Sequence, residues 1–137
     1  MTDRVFVDTN VFVYADDRAA KIKRVRARTV LSELIHTRRA VVSTQVMQEY
    51  FVAATRKLGL SPERARGRVE RLNRLDVVLI RPELIFGAID LCRLHPLSFW
   101  DALVVRSARA AGCGRVLSED MQDGQTIDGV RIENPFA

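Results

Sequence analysis

The stretch RVFVDTN, residues 4–10, decides the fold class of this chain. Its short apolar run ends directly at polar residues, which predicts a strand buried on both faces, as in parallel sheets. Similar apolar runs recur along the chain at 40–43, 76–80 and 115–118. The sequence therefore predicts four short buried strands, and the run at 130–132 adds a fifth at an edge.

Helical segments separate these strands. Residues 11–17 continue the first strand as a helical turn or two, and capping residues bound the later helices. Gly59 ends one helix, whereas Ser61 followed by Pro62 opens the next. The predicted helices are 18–37, 44–59, 62–75, 82–94 and 98–112. Strands that alternate with helices predict an α/β fold with a mainly parallel sheet of four to five strands.

The length suits one domain, which we predict to span residues 1–137. Hydrophobic residues make up 47% of the chain and charged residues 28%, as expected of a soluble globular protein. No apolar run approaches the ~18 residues of a membrane span. The N-terminal stretch MTDRVFVDTN does not resemble a signal peptide. We therefore predict a cytoplasmic protein without a membrane partner.

Arginine dominates the charge of the chain. The formal net charge is +5, and since only three of the 22 basic residues are lysine, nineteen are arginine. The guanidinium group binds phosphate through paired hydrogen bonds. Such an excess favours an anionic partner, either a nucleic acid or an acidic protein segment. A basic surface that is merely solvated is the alternative.

Acidic residues occupy the positions where predicted strands end. The stretch SEDMQDGQ, residues 118–125, crowds three acids just after the fourth strand, and Asp8 follows the first strand at once. Because parallel strands end at one edge of a sheet, Asp8 and Asp120 are expected to meet there. Glu49 and Asp101, each near the start of a predicted helix, can face the same crevice.

Each acid also has an ordinary structural interpretation. Asp8 could cap the following helical turn, and Ser98 with Asp101 resembles a capping box. Glu49 could lie on the exposed face of its helix, and Asp120 could be a turn residue. A structural role explains any one of these acids more easily than it explains all four together. Clustered carboxylates repel one another, and such a cluster persists best around a divalent cation.

The available donors favour Mg²⁺ or Mn²⁺ over zinc. Cys92 and Cys113 have no metal-type spacing and are expected to be reduced, buried residues, while His36 and His95 are isolated. An all-oxygen site suits Mg²⁺ or Mn²⁺. With basic residues to hold phosphates, such a site indicates phosphoryl transfer in which bound ions orient a water.

Five blocks, in this order, resemble the PIN-domain ribonucleases, and most of all the VapC-type toxins of bacterial toxin–antitoxin pairs. The blocks are VFVDTNVFVYA, VVSTQVMQEYF, LSFWDALVV, VLSEDMQDGQ and GVRIENPF. They span nearly the whole chain. The resemblance implies an α/β/α sandwich, RNA endonuclease activity that depends on Mg²⁺ or Mn²⁺, inhibition by a cognate antitoxin, and a homodimer.

The same resemblance assigns the site residues. Asn10 matches the polar residue after the first acid, where it would hold Asp8 or an ion-bound water. Asp123 matches an acid found in some members, as a further metal ligand. Thr9 and Ser43 would supply supporting hydroxyls, although each could be structural. The four main acidic positions of the family, catalytic and metal-binding, fall on Asp8, Glu49, Asp101 and Asp120.

We therefore predict a metal-dependent endoribonuclease. Asp8 and Asp101 would bind the principal ion, and Glu49 and Asp120 would complete its shell directly or through water. A metal-activated water would attack the scissile phosphate in line and, following the family, leave a 5′-phosphate and a 3′-hydroxyl. No lysine lies within the acidic blocks, so a lysine general base is not expected.

Three other classes of protein compete with this prediction. A receiver-type phospho-acceptor domain needs a lysine after a late strand, and none follows the fourth strand. A phosphatase of the haloacid dehalogenase type needs a second aspartate where this chain has Asn10. A non-catalytic basic module that binds RNA or protein would carry the acids incidentally.

The sequence alone leaves two alternative roles for each of two segments. The arginine-rich helix at 18–37 could contact RNA or simply face solvent. Apolar residues of the helix at 44–59 would ordinarily pack in the core but could instead receive an antitoxin helix or a second copy. Those residues are Val46, Met47, Phe51 and Val52.

Overall fold

The computed structural model describes residues 3–137, which form six strands and six helices. The strands are β1 (Val5–Val7), β2 (Ala40–Ser43), β3 (Asp76–Val78), β4 (Arg115–Leu117), β5 (Thr126–Ile127) and β6 (Val130–Glu133). The helices are α1 (Thr9–Ala15), α2 (Lys21–His36), α3 (Thr44–Arg56), α4 (Pro62–Leu72), α5 (Pro82–Leu94) and α6 (Phe99–Ala110). None of the helices in this described part is long and apolar enough to cross a membrane.

The strands form one sheet in the order β3-β2-β1-β4-β6-β5. Every neighbouring pair is parallel except β5 and β6, which are antiparallel. β1 lies inside the sheet, between β2 and β4, and its three residues are fully buried. The predicted α/β fold with a mainly parallel sheet is confirmed. β6 is the predicted fifth strand, but its predicted place at an edge is wrong, because β5 pairs with its outer side.

The sheet has one strand more than predicted. β5 contains two residues, too few for a hydrophobic pattern to reveal. It forms because Asp128 and Gly129 adopt positive φ angles of 52° and 81° and close a two-residue hairpin turn. β3 also differs from the buried strand predicted at 76–80, because it ends at Val78 and is partly exposed at the sheet edge.

The helices cover the sheet in two groups, as in an α/β/α sandwich. α1 packs against α2 and α3, and α3 packs against α4, whereas α5 packs against α6. Both groups send apolar side chains into the core. Examples that are at least 94% buried include Val11, Phe12, Leu34, Val104 and Val105. This packing holds the ends of β1 and β4 rigidly, which matters for the residues that follow those strands.

Side-chain caps set where the helices begin. Ser43, Ser61 and Ser98 each accept a hydrogen bond from the backbone amide three residues later. Asp8 accepts one from the first amide of α1. The predicted caps at Ser61 and Ser98 are thereby confirmed. Since they fix the first turns of α1 and α6, the caps also place Asp8 and Asp101.

The two cysteines are free, but their environments differ. Cys113 is buried, and burial raises the pKa of its thiol to about 11. Cys92 is only half-buried. The expectation of two buried cysteines is therefore right for Cys113 and wrong for Cys92, whose helix face is incompletely covered.

The β5–β6 hairpin is tied to α6 by two arginines. Arg106 donates to Asp128 Oδ2 at 3.3 Å, and Arg109 donates to Oδ1 of the same carboxylate. The Arg106 guanidinium passes over Gly87 of α5, where an added Cβ would lie 2.9 Å from Nη2. Gly87 therefore leaves the space that Arg106 needs to reach Asp128.

The substitution Gly87→Ala tests this arrangement. Alanine in a helix interior is favoured over glycine by about 1 kcal/mol, but here its methyl would displace Arg106. We expect no gain in the free energy of unfolding in the native background, and a gain of about 1 kcal/mol in an Arg106→Ala background. The control is Gly67→Ala in α4, where nothing lies within 4 Å, and which should stabilise in both. Equal gains from Gly87→Ala and Gly67→Ala in the native protein, in urea unfolding, would contradict this account.

Candidate metal centre

Asp8 is the buried centre of the acidic site. The register of β1 and β4 pairs Val7 with Leu117, so Asp8 and Ser118 leave the sheet side by side. The Asp8 side chain accepts a hydrogen bond from the Thr9 amide at 2.8 Å and from Ser118 Oγ at 2.7 Å. Only 4% of Asp8 is exposed. A charged group so deep in the protein needs these donors, and further compensation, to stay ionised.

Two further carboxylates converge on Asp8. Asp120 follows β4 by three residues, and Asp101 is the third residue of α6. One oxygen from each of Asp8, Asp101 and Asp120 lies within 4.8 Å of the others. Three carboxylate oxygens at this spacing could hold a metal ion, and the all-oxygen set suits a hard divalent cation such as Mg²⁺ or Mn²⁺.

Glu49 borders this trio without belonging to it. It lies in the middle of α3 and is half-buried. Its Oε1 accepts a hydrogen bond from Thr9 Oγ1 at 2.7 Å, and its Oε2 accepts one from Gln45 Nε2 at 3.3 Å. The Thr9 hydroxyl, which was predicted to support the site, therefore donates to Glu49 and orients this carboxylate beside the trio.

Asn10 links the two strand ends. Its Nδ2 lies 3.1 Å from Asp120 Oδ2 and 3.4 Å from both Asp8 Oδ2 and Ser118 Oγ. Its Oδ1 accepts the Glu119 amide at 3.2 Å. One side chain thus donates toward two carboxylates and fastens the loop after β4. This contact with Asp8 is the one predicted for Asn10.

Two predicted residues lie apart from the trio. Asp123 is exposed, and its Oδ1 accepts the Asn134 amide at 2.8 Å, which ties the loop to the end of β6. Its role as a ligand stays a prediction. Ser43 is fully buried and caps α3, so the hydroxyl expected to support the site is occupied by the Val46 amide.

The carboxylates make one another harder to ionise. Burial, and then the charges of Asp120 and Glu49, raise the pKa of Asp8 to about 6, against the lowering effect of the Ser118 and Thr9 hydrogen bonds. Burial and the nearby Asp120 and Glu49 charges also raise the pKa of Asp101, although the Ser98 cap opposes this. A bound cation would reverse the repulsion, so the electrostatics of the site favour one.

The sequence did not reveal the residues that support the loop after β4. Ser118 is fully buried and bonds both Asp8 and the Asp120 amide. Glu119 accepts hydrogen bonds from Tyr14 Oη at 2.7 Å and from Lys23 Nζ at 2.5 Å. Ser118 could have been suspected from its place between a strand and two acids. The Lys23–Glu119 pair could not, because 96 residues separate its members.

Lysine also comes close to the acidic edge. Lys23 lies 4.7 Å from the centre of the Tyr14 ring, and Lys57 lies 5.4 Å from it. Partial burial acts to raise the pKa of Glu119, but the hydrogen bonds from Lys23 and Tyr14 and the charges of Lys23 and Lys57 together lower it. The absence of lysine from the acidic blocks therefore did not mean its absence from their surroundings.

Comparison with known proteins identifies the family. The model of the PIN domain matches residues 5–122. The chain belongs to the PIN domain family. This membership separates it from the receiver and haloacid dehalogenase classes. No curated protein sequence matches the chain significantly.

Solved structures share the PIN fold along nearly the whole chain. A DNA-bound VapBC complex from Salmonella typhimurium has 23% identity and a TM-score of 0.70, covering 98% of this chain and 99% of its own. A toxin–antitoxin complex from Klebsiella pneumoniae has 16% identity and a TM-score of 0.70, covering 96% and 97%. VapC20 of Mycobacterium tuberculosis, a sarcin–ricin loop cleaving toxin, has 18% identity and a TM-score of 0.66, covering 85% and 89%.

The raised pKa of Asp8 predicts how stability depends on pH in metal-free protein. The pKa is about 6 in the folded chain and that of an ordinary aspartate in the unfolded chain, so stability present below about pH 4 is lost as the pH rises through 6. We expect Asp8 to lower the free energy of unfolding by up to about 3 kcal/mol between about pH 4 and 7.5. The Asp8→Asn variant should lack this loss.

Urea unfolding of both proteins in EDTA, at about pH 4 and about pH 7.5, measures how the free energy of unfolding of each changes with pH. Comparing the native protein with the variant cancels the contributions of other titrating groups. Adding Mn²⁺ at the higher pH should stabilise the native protein more than the variant. Parallel pH profiles for the two proteins would show that Asp8 ionises normally.

Proposed function

We propose that this PIN domain is a Mg²⁺- or Mn²⁺-dependent endoribonuclease that acts as the toxin of a VapC-type toxin–antitoxin pair. The observation that carries the proposal is the convergence of Asp8, Asp101 and Asp120 within 4.8 Å at the carboxyl edge of the sheet. Similarity to VapBC complexes and to an RNA-cleaving toxin supports it. An RNA substrate would place its action in the cytoplasm.

The chain's own residues divide the work of the site. Asp8 and Asp101 would hold the principal ion with Asp120, and Glu49 would complete its shell through water, since it stands outside the trio. A bound Mg²⁺ or Mn²⁺ would supply charge neutralisation at the phosphate and activation of water. Asn10, through its hydrogen bonds, keeps Asp8 and Asp120 facing each other.

The basic groups would hold the RNA. The chain has a formal net charge of +5, so phosphates would be attracted to the protein as a whole. The carboxylates would repel them locally until a cation is bound. Lys23 and Lys57 lie near the Tyr14 ring, and Lys23 also binds Glu119 in the loop after β4, so both would add positive charge for the RNA phosphates beside this loop. Weaker binding at higher salt is the expected consequence.

A cleavage assay tests the nuclease proposal. Purified protein is incubated with structured RNA (bulk tRNA and rRNA) in Mg²⁺ or Mn²⁺, and the RNA ends are mapped. Asp8→Asn and Asp101→Asn should each lose on the order of 10²-fold or more in rate, because a ligand to the ion is removed. EDTA should abolish cleavage.

The matched control is Asp90→Asn in α5, which removes the same charge from an exposed position outside the acidic site. Because Asp90 lies outside the trio, the variant should retain cleavage. RNA binding without cleavage, indifferent to metal, would favour the non-catalytic binding module instead. Cleavage that survives EDTA and both site variants would exclude this mechanism.

We propose that the cognate antitoxin occupies a groove at the amino edge of the sheet, opposite Asp8. The groove has a volume of about 730 Å³ and lies between α1, α2 and α4. Its floor is apolar, with Phe12, Leu31 and Leu72. We call it the arginine groove, because its rim carries Arg38, Arg68, Arg71 and Arg74. An amphipathic antitoxin segment with acidic residues would match both its floor and its rim.

Charge reversal tests the antitoxin surface. The chain is co-expressed with the adjacent reading frame, and the affinity of the purified pair is measured. Arg71→Glu with Arg74→Glu should weaken binding about tenfold or more. Arg81→Glu with Arg93→Glu, at α5 and outside the arginine groove, makes an equal charge change and should have less effect. Equal weakening by the two changes would place the antitoxin elsewhere.

We also propose a homodimer that pairs through α5. Ile85, Phe86 and Ile89 are spaced to share one helix face and are 37%, 65% and 40% exposed. Among the candidates named from α3, Val46 is fully buried, whereas Phe51 and Val52 are exposed by 38% and 46%. Light scattering should give about twice 15.5 kDa, and Phe86→Asp should give the monomer. An unchanged mass for that variant would exclude α5 as the interface.

A further inference from the structure

A second cavity adjoins the carboxylates and has no part in the roles described so far. It holds about 200 Å³ and shares Asp101 and Asp120 with the metal centre. We propose that this cavity, the base pocket, receives the nucleobase of a nucleotide next to the scissile phosphate and reads its edge. The proposal deepens the proposed nuclease function, on which it rests.

The position of the base pocket follows from its walls. One wall is the pair Asp101 and Asp120, so a phosphate held at the ion would lie at its mouth. The α5–α6 connection contributes His95, Pro96 and Leu97 to the lining. The nucleoside next to a phosphate at the ion is therefore the part of the RNA that would reach the cavity.

The chemistry of the walls suits a planar heterocycle. Met121 and Leu97 offer apolar surface to the faces of a ring, and Met121 is 6% exposed, so this surface belongs to the core. Gln122 and Gln125 each offer an amide with donors and an acceptor. Single-stranded RNA is recognised by such a combination of stacking and edge hydrogen bonds.

Backbone hydrogen bonds, rather than bonds of the glutamine side chains, hold the segment that carries Gln122 and Gln125. The Gln125 carbonyl accepts the Ile132 amide at 2.8 Å, and the Gly124 amide donates to the Ile132 carbonyl at 2.8 Å. Asp123 adds its bond to the Asn134 amide. The backbone that carries both amides is therefore fixed to β6, while the network around Asp8, Ser118 and Asn10 does not use their side chains. Asp123 thus positions the loop that carries them.

The volume favours a single base over larger ligands. Sites for drug-sized molecules typically measure about 300–1,000 Å³. The base pocket is smaller, and it lacks the arginine rim that marks the groove at the other edge of the sheet. One unstacked base is the part of an RNA strand that fits.

The methionine methyl groups provide the test. The chain has three methionines, at positions 1, 47 and 121. Met121 lines the base pocket, and Met47 lines a separate cavity between α3 and α4. In ¹³C-methyl-methionine protein with Mg²⁺, we titrate AMP, GMP, CMP and UMP, with ribose 5-phosphate as the baseless control. At least one nucleotide should shift the Met121 signal, while ribose 5-phosphate and the Met47 signal should show no comparable change.

Variants then connect the base pocket with specificity. The double variant Gln122→Ala with Gln125→Ala should bind the preferred nucleotide about tenfold or more weakly than the native protein. In RNA cleavage it should flatten the base preference at one position beside the cut while metal-dependent cleavage persists. Gln48→Ala, beside the Met47 cavity, is the matched control and should change neither. The Met47 signal also reports whether each variant is folded.

The outcomes separate the base pocket from the nuclease proposal. A Met121 shift that ribose 5-phosphate reproduces, or no Met121 shift with any nucleotide, overturns base recognition whether or not RNA is cleaved. A base-dependent shift that the double variant abolishes supports the base pocket even if the cleavage assay is negative. Cleavage with an unchanged base preference in the double variant overturns the specificity role and leaves the nuclease role intact.

Discussion

Burial of the Asp8 carboxylate beside other carboxylates at the end of β1 is the constraint on which the rest of this PIN domain depends. Asp8 is 4% exposed, and burial with neighbouring negative charge raises its pKa to about 6. The fold opposes this cost with donors from Ser118, Thr9 and Asn10. These contacts offset the cost of burial and repulsion only in part, because the pKa of Asp8 stays raised. A bound cation would neutralise the remaining repulsion. An ionised Asp8 therefore lowers the free energy of unfolding at a position where metal binding would need its negative charge.

The sheet order explains why the donors are available there. β1 lies between β2 and β4, so the residues after β1 and β4 leave the sheet as neighbours, and the first turn of α3 follows β2 alongside them. The β1–β4 pairing alone brings Asp8 beside Ser118. Asp120 follows β4 in the adjoining loop, and the Ser98 cap fixes the first turn of α6, which carries Asp101. The pairing of β1 with β4 and the cap of α6 therefore place most of the site.

The loop after β4 joins three tasks in eight residues, 118–125. Ser118 and Asp120 serve the carboxylate trio, Glu119 binds Lys23 and Tyr14, and the glutamines face the base pocket. The ties to α1, α2 and β6 keep the loop in one conformation, which a metal centre and a selective pocket both require. Three of the 17 acidic residues of this basic chain therefore lie in this one loop, and Asp120 belongs to the carboxylate trio.

The sequence by itself determined the α/β alternation, the main strands, the serine caps, the family and the acids expected at the site. These are local features, since apolar runs, cap residues and motif blocks act over a few neighbouring positions. Only the tertiary structure decided that Glu49 stands beside the trio, that Asp123 ties a loop to β6, and that Lys23 reaches Glu119. It also decided that Asp128 anchors a two-residue strand through Arg106 and Arg109. The physical reason is that these contacts join side chains far apart along the chain, whose meeting depends on the packing of whole elements.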